Sequence, residues 1–148
     1  MIYSARQIAD WFLARAALDS HMLTQMKLQK LVYIAHGWNL ALYGDPLIGE
    51  DIEAWRWGPV VRSLYRDFAA YGSSPIAASV SAPTLDLRTT QLLEQIWKLY
   101  GSYTAIQLSA MTHADNTPWQ QTYRADATSR ISNDTIRRHY RELQTTRK

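Results

Sequence analysis

Apolar positions recur three and four residues apart along most of this chain, a spacing that predicts helices. The densest run lies between Thr24 and Tyr43. There Leu28, Leu31, Ala35, Trp38 and Leu42 define a stripe, and Val32, Ile34 and Ala41 widen it past half the circumference. A helix this apolar belongs inside a bundle, with other helices packed round it. Its polar strip is narrow: Gln25, Gln29, Lys30, Tyr33 and His36. Thr24 is its expected N-cap. Gly44-Asp45-Pro46 is its stop, because proline disfavours helical geometry in the residue before it.

The same reading predicts the other elements. Ser4 and Gln7 form a capping box for a first helix with Ile8, Ala9, Phe12 and Ala16 inward. It closes at Asp19-Ser20-His21. After the central helix, Ile52, Ala54, Trp55 and Trp57 fit a short strand, one arm of a hairpin turning at Gly49. Gly58-Pro59 reads as the end of that strand and the start of a helix to Tyr71, with Pro59 at its first position. That helix is expected to bury Val61, Leu64, Tyr65 and Phe68, and Gly72 to be its left-handed C-cap. The uncharged stretch from Gly72 towards Asp86 is the longest irregular segment. A helix follows from about Thr89 to Tyr100, burying Leu92, Leu93, Ile96 and Trp97. Thr104 and Gln107 open a short one, and Thr117-Pro118-Trp119 opens another. Ser132 caps a basic last helix over about 133–143, with Ile136, Tyr140 and Leu143 inward and a frayed tail at 144–148. The expectation is a mainly α fold: a compact single-domain bundle of six to seven helices around a buried central helix, with one short β-hairpin, spanning 1–148.

Composition narrows the function classes. With no cysteine in 148 residues, disulfides, thiolate metal sites and cysteine nucleophiles are excluded. The longest uncharged apolar run is too short to cross a bilayer, and Arg6 and Asp10 sit where a secretory signal would be apolar. A soluble cytoplasmic protein without membrane contact is expected. The net charge of +3 says little, but from Arg124 onward seven basic residues face three acidic ones. Asp45, Glu50, Asp51 and Glu53 make the hairpin acidic.

Chemistry-bearing clusters are scarce. His21, His36, His113 and His139 are scattered, with no metal-ligand spacing. His113 and Asp115 read as groups that cap and bridge backbone at a helix corner. There is no Gly-x-Ser-x-Gly elbow and no glycine-rich phosphate loop. Asp51 and Glu53 lie in an exposed hairpin, which neither buries them nor raises a pKa. No enzyme, metal or cofactor is expected. DNA binding is the alternative: helices one and two have the outline of a helix-turn-helix, with Gln25, Lys27, Gln29 and Lys30 able to face a groove. Arg137, Arg138 and Arg141 could add phosphate contacts. Trp38 and Trp97 lie on apolar stripes and belong to the core. Trp55 and Trp57, two apart on a strand, share a face that either packs on the central helix or forms a presented patch with Arg56 opposite. Self-association is open, with Trp119 and Tyr123 as an unsatisfied patch that could support a dimer.

One ordered series of motifs goes further. Leu28-Gln-Lys-Leu-Val-Tyr33, His36-Gly-Trp38 and Ile52-Glu-Ala-Trp-Arg-Trp-Gly-Pro-Val-Val61 resemble the signature of the Panacea domain, the SocA-like family of phage- and plasmid-associated antitoxins. The likeness continues through Ser63-Leu64-Tyr65, Tyr100-Gly101, Thr112-His113, Pro118-Trp119 and Ile136 to Tyr140. The signature residues Leu28, Lys30, Leu31, Tyr33, Trp38, Trp55, Trp57, Gly58, Pro59, His113, Pro118 and Trp119 then have structural roles. The resemblance implies an antitoxin that neutralises a co-encoded protein toxin by direct contact, with delivery of the toxin to a protease as a further role in the SocA-like branch. The alternatives are an operon regulator that binds DNA and a phage-encoded inhibitor of a host defence protein. For a toxin-contacting surface, the hairpin and following helix offer Glu50, Asp51, Glu53, Arg56, Arg62 and Arg66.

Overall fold

The helix from Gln25 to Tyr43 (α2) is buried from Leu28 to Ala41, and the rest of the chain wraps it. The computed structural model describes residues 1–77, 81–125 and 129–146. Asp126 and the terminal Arg147 and Lys148, counted above among the C-terminal charges, lie outside the described residues. The elements run α1 (Ala5–Leu18), α2, β1 (Ile52–Trp55), β2 (Gly58–Val60), α3 (Arg62–Phe68) with a 3-10 turn at Ala69–Tyr71, α4 (Leu87–Tyr100), α5 (Ala105–Thr112), α6 (Pro118–Thr122), β3 (Ser129–Ile131) and α7 (Asn133–Thr146). The fold is mainly α. Helices α1, α4, α5 and α7 all pack on α2.

The caps form as their chemistry dictates. Ser4 and Gln7 make a reciprocal capping box on α1, and Thr104 and Gln107 another on α5. Thr24 accepts the Lys27 N–H, and Gly44 ends α2 in the left-handed conformation. Asp86, which the apolar pattern passes over, caps α4 by accepting from Thr89.

Around residues 47–61 the chain departs from expectation. The hairpin turns at Arg56-Trp57, with Trp55 opposite Gly58 and Ala54 opposite Pro59. Gly49 instead donates its N–H to Tyr3 (3.0 Å), while Tyr3 donates to Leu47 (2.8 Å). Pro59 is therefore a strand residue, and the next helix begins at Arg62. A third strand, β3, pairs antiparallel with β1 and gives the order β2-β1-β3. Tyr65, expected inside, is exposed, as is Leu42. Gly72 has positive φ (55°) but ψ of −125°, outside the left-handed helical well. The last helix runs to Thr146, three residues past its expected end at 143, and the end of the expected tail, 147–148, lies outside the described residues.

The expected polar strip of α2 is not a solvent strip. Gln25, Gln29, Lys30, Tyr33 and His36 are all buried. His36 shows how such a group is satisfied. Its Nδ1 accepts from the Leu47 N–H at 3.2 Å, which leaves Nε2 to donate to Asn133 Oδ1 at 2.9 Å. One neutral ring thus ties α2 to the loop after it and to the start of α7, and burial pushes its pKa down.

Gly37 is where α7 comes closest. A Cβ there would clash with the edge of the Tyr140 ring, and Tyr140 is itself wedged between Tyr33 and Trp38 with centroids 6.1 and 5.3 Å away. A buried ring so held cannot swing aside. Gly37→Ala is therefore expected to lower stability by about 2 kcal/mol, the usual cost of overpacking. A urea-unfolding midpoint measures it, with Gly49→Ala, where a Cβ meets only Ile2 at 3.6 Å, as the near-neutral control.

Candidate protein-binding surface

The first turns of α2 carry polar groups on an otherwise apolar helix, and the hairpin docks on them. Gln29 grips Val61 from both sides: its Oε1 accepts the Val61 N–H at 2.9 Å and its Nε2 donates to the Val61 carbonyl at 3.0 Å. Lys30 Nζ donates to the Pro59 carbonyl at 3.0 Å. Other elements hold the rest of the hairpin. Trp119 on α6 donates its indole N–H to the Trp55 carbonyl (2.5 Å), and Ser109 on α5 donates to the Trp57 carbonyl (2.9 Å). Gly58, at φ 122°, lets the strand lie directly on the lysine, since a Cβ there would sit 3.1 Å from Lys30 Cε. The motifs that looked separate in the sequence meet as one clamp round the hairpin backbone.

Beside that clamp is a groove of about 480 Å³, lined by the α2 N-terminus, the hairpin, Tyr65 of α3 and the start of α5. Its walls include Met26, Trp57, Tyr65 and Ile106, all exposed, with Ile106 the most open at 77%. Gln25 and Lys30 line it too. Gln25 Oε1 is buried and accepts no hydrogen bond in the described structure. Lys30 is 2% exposed, and burial pushes its amine down to about 8. Among the described residues it has no carboxylate partner.

The residues offered above for partner contact are not one surface. Glu50 is turned inward, where it accepts the Ala5 N–H at 2.9 Å at the start of α1. Glu53 accepts from the Trp55 indole at 2.8 Å and from Arg62 at 2.9 Å. Asp51 faces Arg130 at 3.6 Å on the sheet's other side. Arg56 and Arg66 are exposed, with the Arg56 guanidinium 4.9 Å from the Trp57 ring centroid. Trp55 and Trp57 do not share a strand face. Trp55 is half-buried against Tyr65, centroids 5.0 Å apart, while Trp57 stands out of the turn.

Three further expectations change. His113 is the C-cap of α5, its backbone N–H donated to the Ser109 carbonyl at 3.1 Å, but its ring meets Ser109 Oγ at 3.2 Å and the Trp119 ring instead of bridging backbone groups, and Asp115 is exposed. Trp119 and Tyr123 are no unsatisfied patch: they stack at 4.6 Å, pack on the core, and the indole N–H is already donated to Trp55. Of the four α2 residues expected to face a DNA groove, Gln25, Gln29 and Lys30 are buried and half-buried Lys27 donates its amine to the Gly101 carbonyl, so that face is not presented. Sequence reasoning missed Met26, Ser109 and Ile106, and it placed Gln29 at a DNA groove instead of on the Val61 backbone. A signal existed for Gln29, because two glutamines and two lysines within six residues at the start of an otherwise apolar helix must find partners.

The comparisons with known proteins agree with the motifs. Residues 28–120 match the family model for the antitoxin SocA-like Panacea domain. Antitoxin SocA of Caulobacter vibrioides (strain NA1000 / CB15N) is 33% identical over 127 residues, covering 78% of this chain and 68% of that protein. No solved structure matches at a significant level. No helix among the described residues is long and apolar enough to cross a membrane.

Proposed function

This chain belongs to the SocA-like Panacea domain family, and from that premise we propose that it is an antitoxin that neutralises a cognate protein toxin by stoichiometric binding. One observation carries the binding reading: large apolar side chains that a lone globule would bury, Met26, Trp57, Tyr65 and Ile106, are exposed together round one groove. Occlusion of a toxin needs about 1,200–2,000 Å² of buried surface in total. The groove with the flanking hairpin tip and α3, where Arg56 and Arg66 are exposed, supplies a centre and a polar rim for such a contact. Binding, not bond-making, is what this arrangement supports. Delivery to a protease is a second role this reading admits, through a face the toxin leaves open.

Co-expression tests the proposal. The product of the neighbouring gene is induced with and without this chain, and growth and co-purification are followed. Arrest by the neighbour alone, relief by this chain and a stable complex of the two are expected. A neighbour that is harmless alone, or that stays toxic without co-purifying, overturns the reading.

A further inference from the structure

The groove has a floor as well as walls, and the floor is chemically unbalanced. An ammonium has three donors. Lys30, nine-tenths and more buried, uses one of them on the Pro59 carbonyl. A buried cation is normally paired, yet among the described residues no acidic one lines this groove. Gln25 Oε1, also buried and lining the same groove, is an acceptor with no donor among the described residues. At the rim, Arg56 on the hairpin tip adds exposed positive charge over Trp57. The α5 wall is Ala105 and Ile106, uncharged. Apolar walls, one positive sign and unmatched polar atoms on the floor describe the complement of a particular ligand.

We propose that this groove seats a single acidic segment of the toxin, which sets a large apolar side chain against Trp57, Tyr65 and Ile106 and directs a neighbouring carboxylate to the Lys30–Arg56 side. The inference rests on the antitoxin reading and says which part of the toxin is grasped. The aromatic and aliphatic walls supply the anchor's affinity, as buried hot spots do. The positive charge supplies selection, because a partner offering lysine or arginine here would meet like charge without escape to water. Gln25 Oε1 is placed to take a backbone N–H of the same segment.

The test uses the full chain and the neighbouring gene's product, with Kd measured by calorimetry at fixed salt. Trp57 and Ile106 are exposed, so Trp57→Ala and Ile106→Asp leave the core intact, which circular dichroism checks. Each is expected to weaken binding by about 30-fold or more, the scale of a hot-spot loss. Leu99→Ala, an exposed apolar change away from the groove, should stay within about twofold, as near-neutral surface positions do. A photo-cross-linking residue at position 106 then maps the occupant. A toxin peptide with Asp or Glu next to a large apolar residue is expected, and neutralising that carboxylate should weaken wild type but not Lys30→Met. Unchanged affinity in both groove variants, a captured peptide lacking a carboxylate, or capture of a second copy of this chain would each overturn the groove assignment while leaving the antitoxin reading intact. A wild-type chain that neither binds nor neutralises the neighbour removes the antitoxin reading, and this assignment with it.

Discussion

Gln29→Leu is expected to cost about 3 kcal/mol of folding stability, because it leaves a buried N–H without a partner at nearly unchanged volume. The two Gln29 hydrogen bonds to Val61 are not equivalent. The Val61 carbonyl also accepts the Tyr65 N–H at 3.1 Å, the first bond of α3, so it keeps a partner when the amide is removed. The Val61 N–H, whose recorded acceptor is Gln29 Oε1, does not. The penalty therefore combines one lost bond with the desolvation of an orphaned donor. Urea unfolding reads it as a lower midpoint at unchanged slope. The same variant should loosen β2 on α2, and hydrogen exchange at residues 58–61 should rise before that of the α2 core. A loss below about 1 kcal/mol would mean that Val61 is not held from α2, since a satisfied buried group costs little to rearrange.

That clamp also marks where sequence reasoning stops. The helices were legible because a 3.6-residue apolar period and capping side chains are local signals: Ser4 with Gln7, Thr104 with Gln107, and Thr24 before α2 all act within four residues. The hairpin was legible as an element but the place of its turn was not, because that turn depends on partners far along the chain. Its backbone carbonyls are taken by Lys30, Ser109 and Trp119, and β1 is paired on its far side by Ser129–Ile131. A three-residue strand such as β3 has too little alternation to announce itself, and Gly58-Pro59 is as consistent with a helix start as with an edge strand. Pro59 is tolerated there because β2 has only one neighbour in the sheet, β1.

The candidate site was legible by its ingredients and not by its shape. Trp57 and Arg56 draw attention in the sequence, but as residues on opposite faces of a strand and not as the tip of a turn. Met26 and Ile106 look like ordinary helix residues, and only the packing of α5 against the hairpin brings them to one groove. The acidic residues misled for the opposite reason. Glu50 and Glu53 read as a charged surface, yet each has a local structural partner, the α1 N-terminus and the Trp55–Arg62 pair. Charge counts along a hairpin cannot tell a solvated carboxylate from one that caps a helix more than forty residues away in the chain.

Lys30 gives the second large effect, and its sign can be worked out. In the unfolded chain a lysine titrates near 10.4, whereas burial pushes Lys30 down to about 8 in the fold. At pH 7 both states carry the proton, so the folded chain bears the full cost of the buried charge. Between the two values the unfolded chain holds the proton and the folded chain does not, so stability must rise with pH. A gap of this size corresponds to about 3 kcal/mol in all, of which about 2 kcal/mol is gained between pH 8 and 10. Lys27, also lowered by burial, adds in the same direction. Above about pH 10 the buried Tyr33 and Tyr140, both pushed upward by burial, turn the curve down, because the unfolded chain then loses protons that the fold retains. Lys30→Met removes the lysine contribution alone. It gives up one hydrogen bond to Pro59, worth about 1 kcal/mol, and is therefore expected to be more stable than wild type at pH 7 by about 2 kcal/mol. The difference between the two proteins should vanish near pH 10, and wild-type and variant curves that run parallel from pH 7 to 10 would refute the buried charge. A substitution that stabilises the free protein while weakening its complex is the signature of a residue held in a costly state for a partner. For Lys30 that partner is the carboxylate the groove is built to receive, so the same variant should gain in unfolding midpoint and lose in toxin affinity.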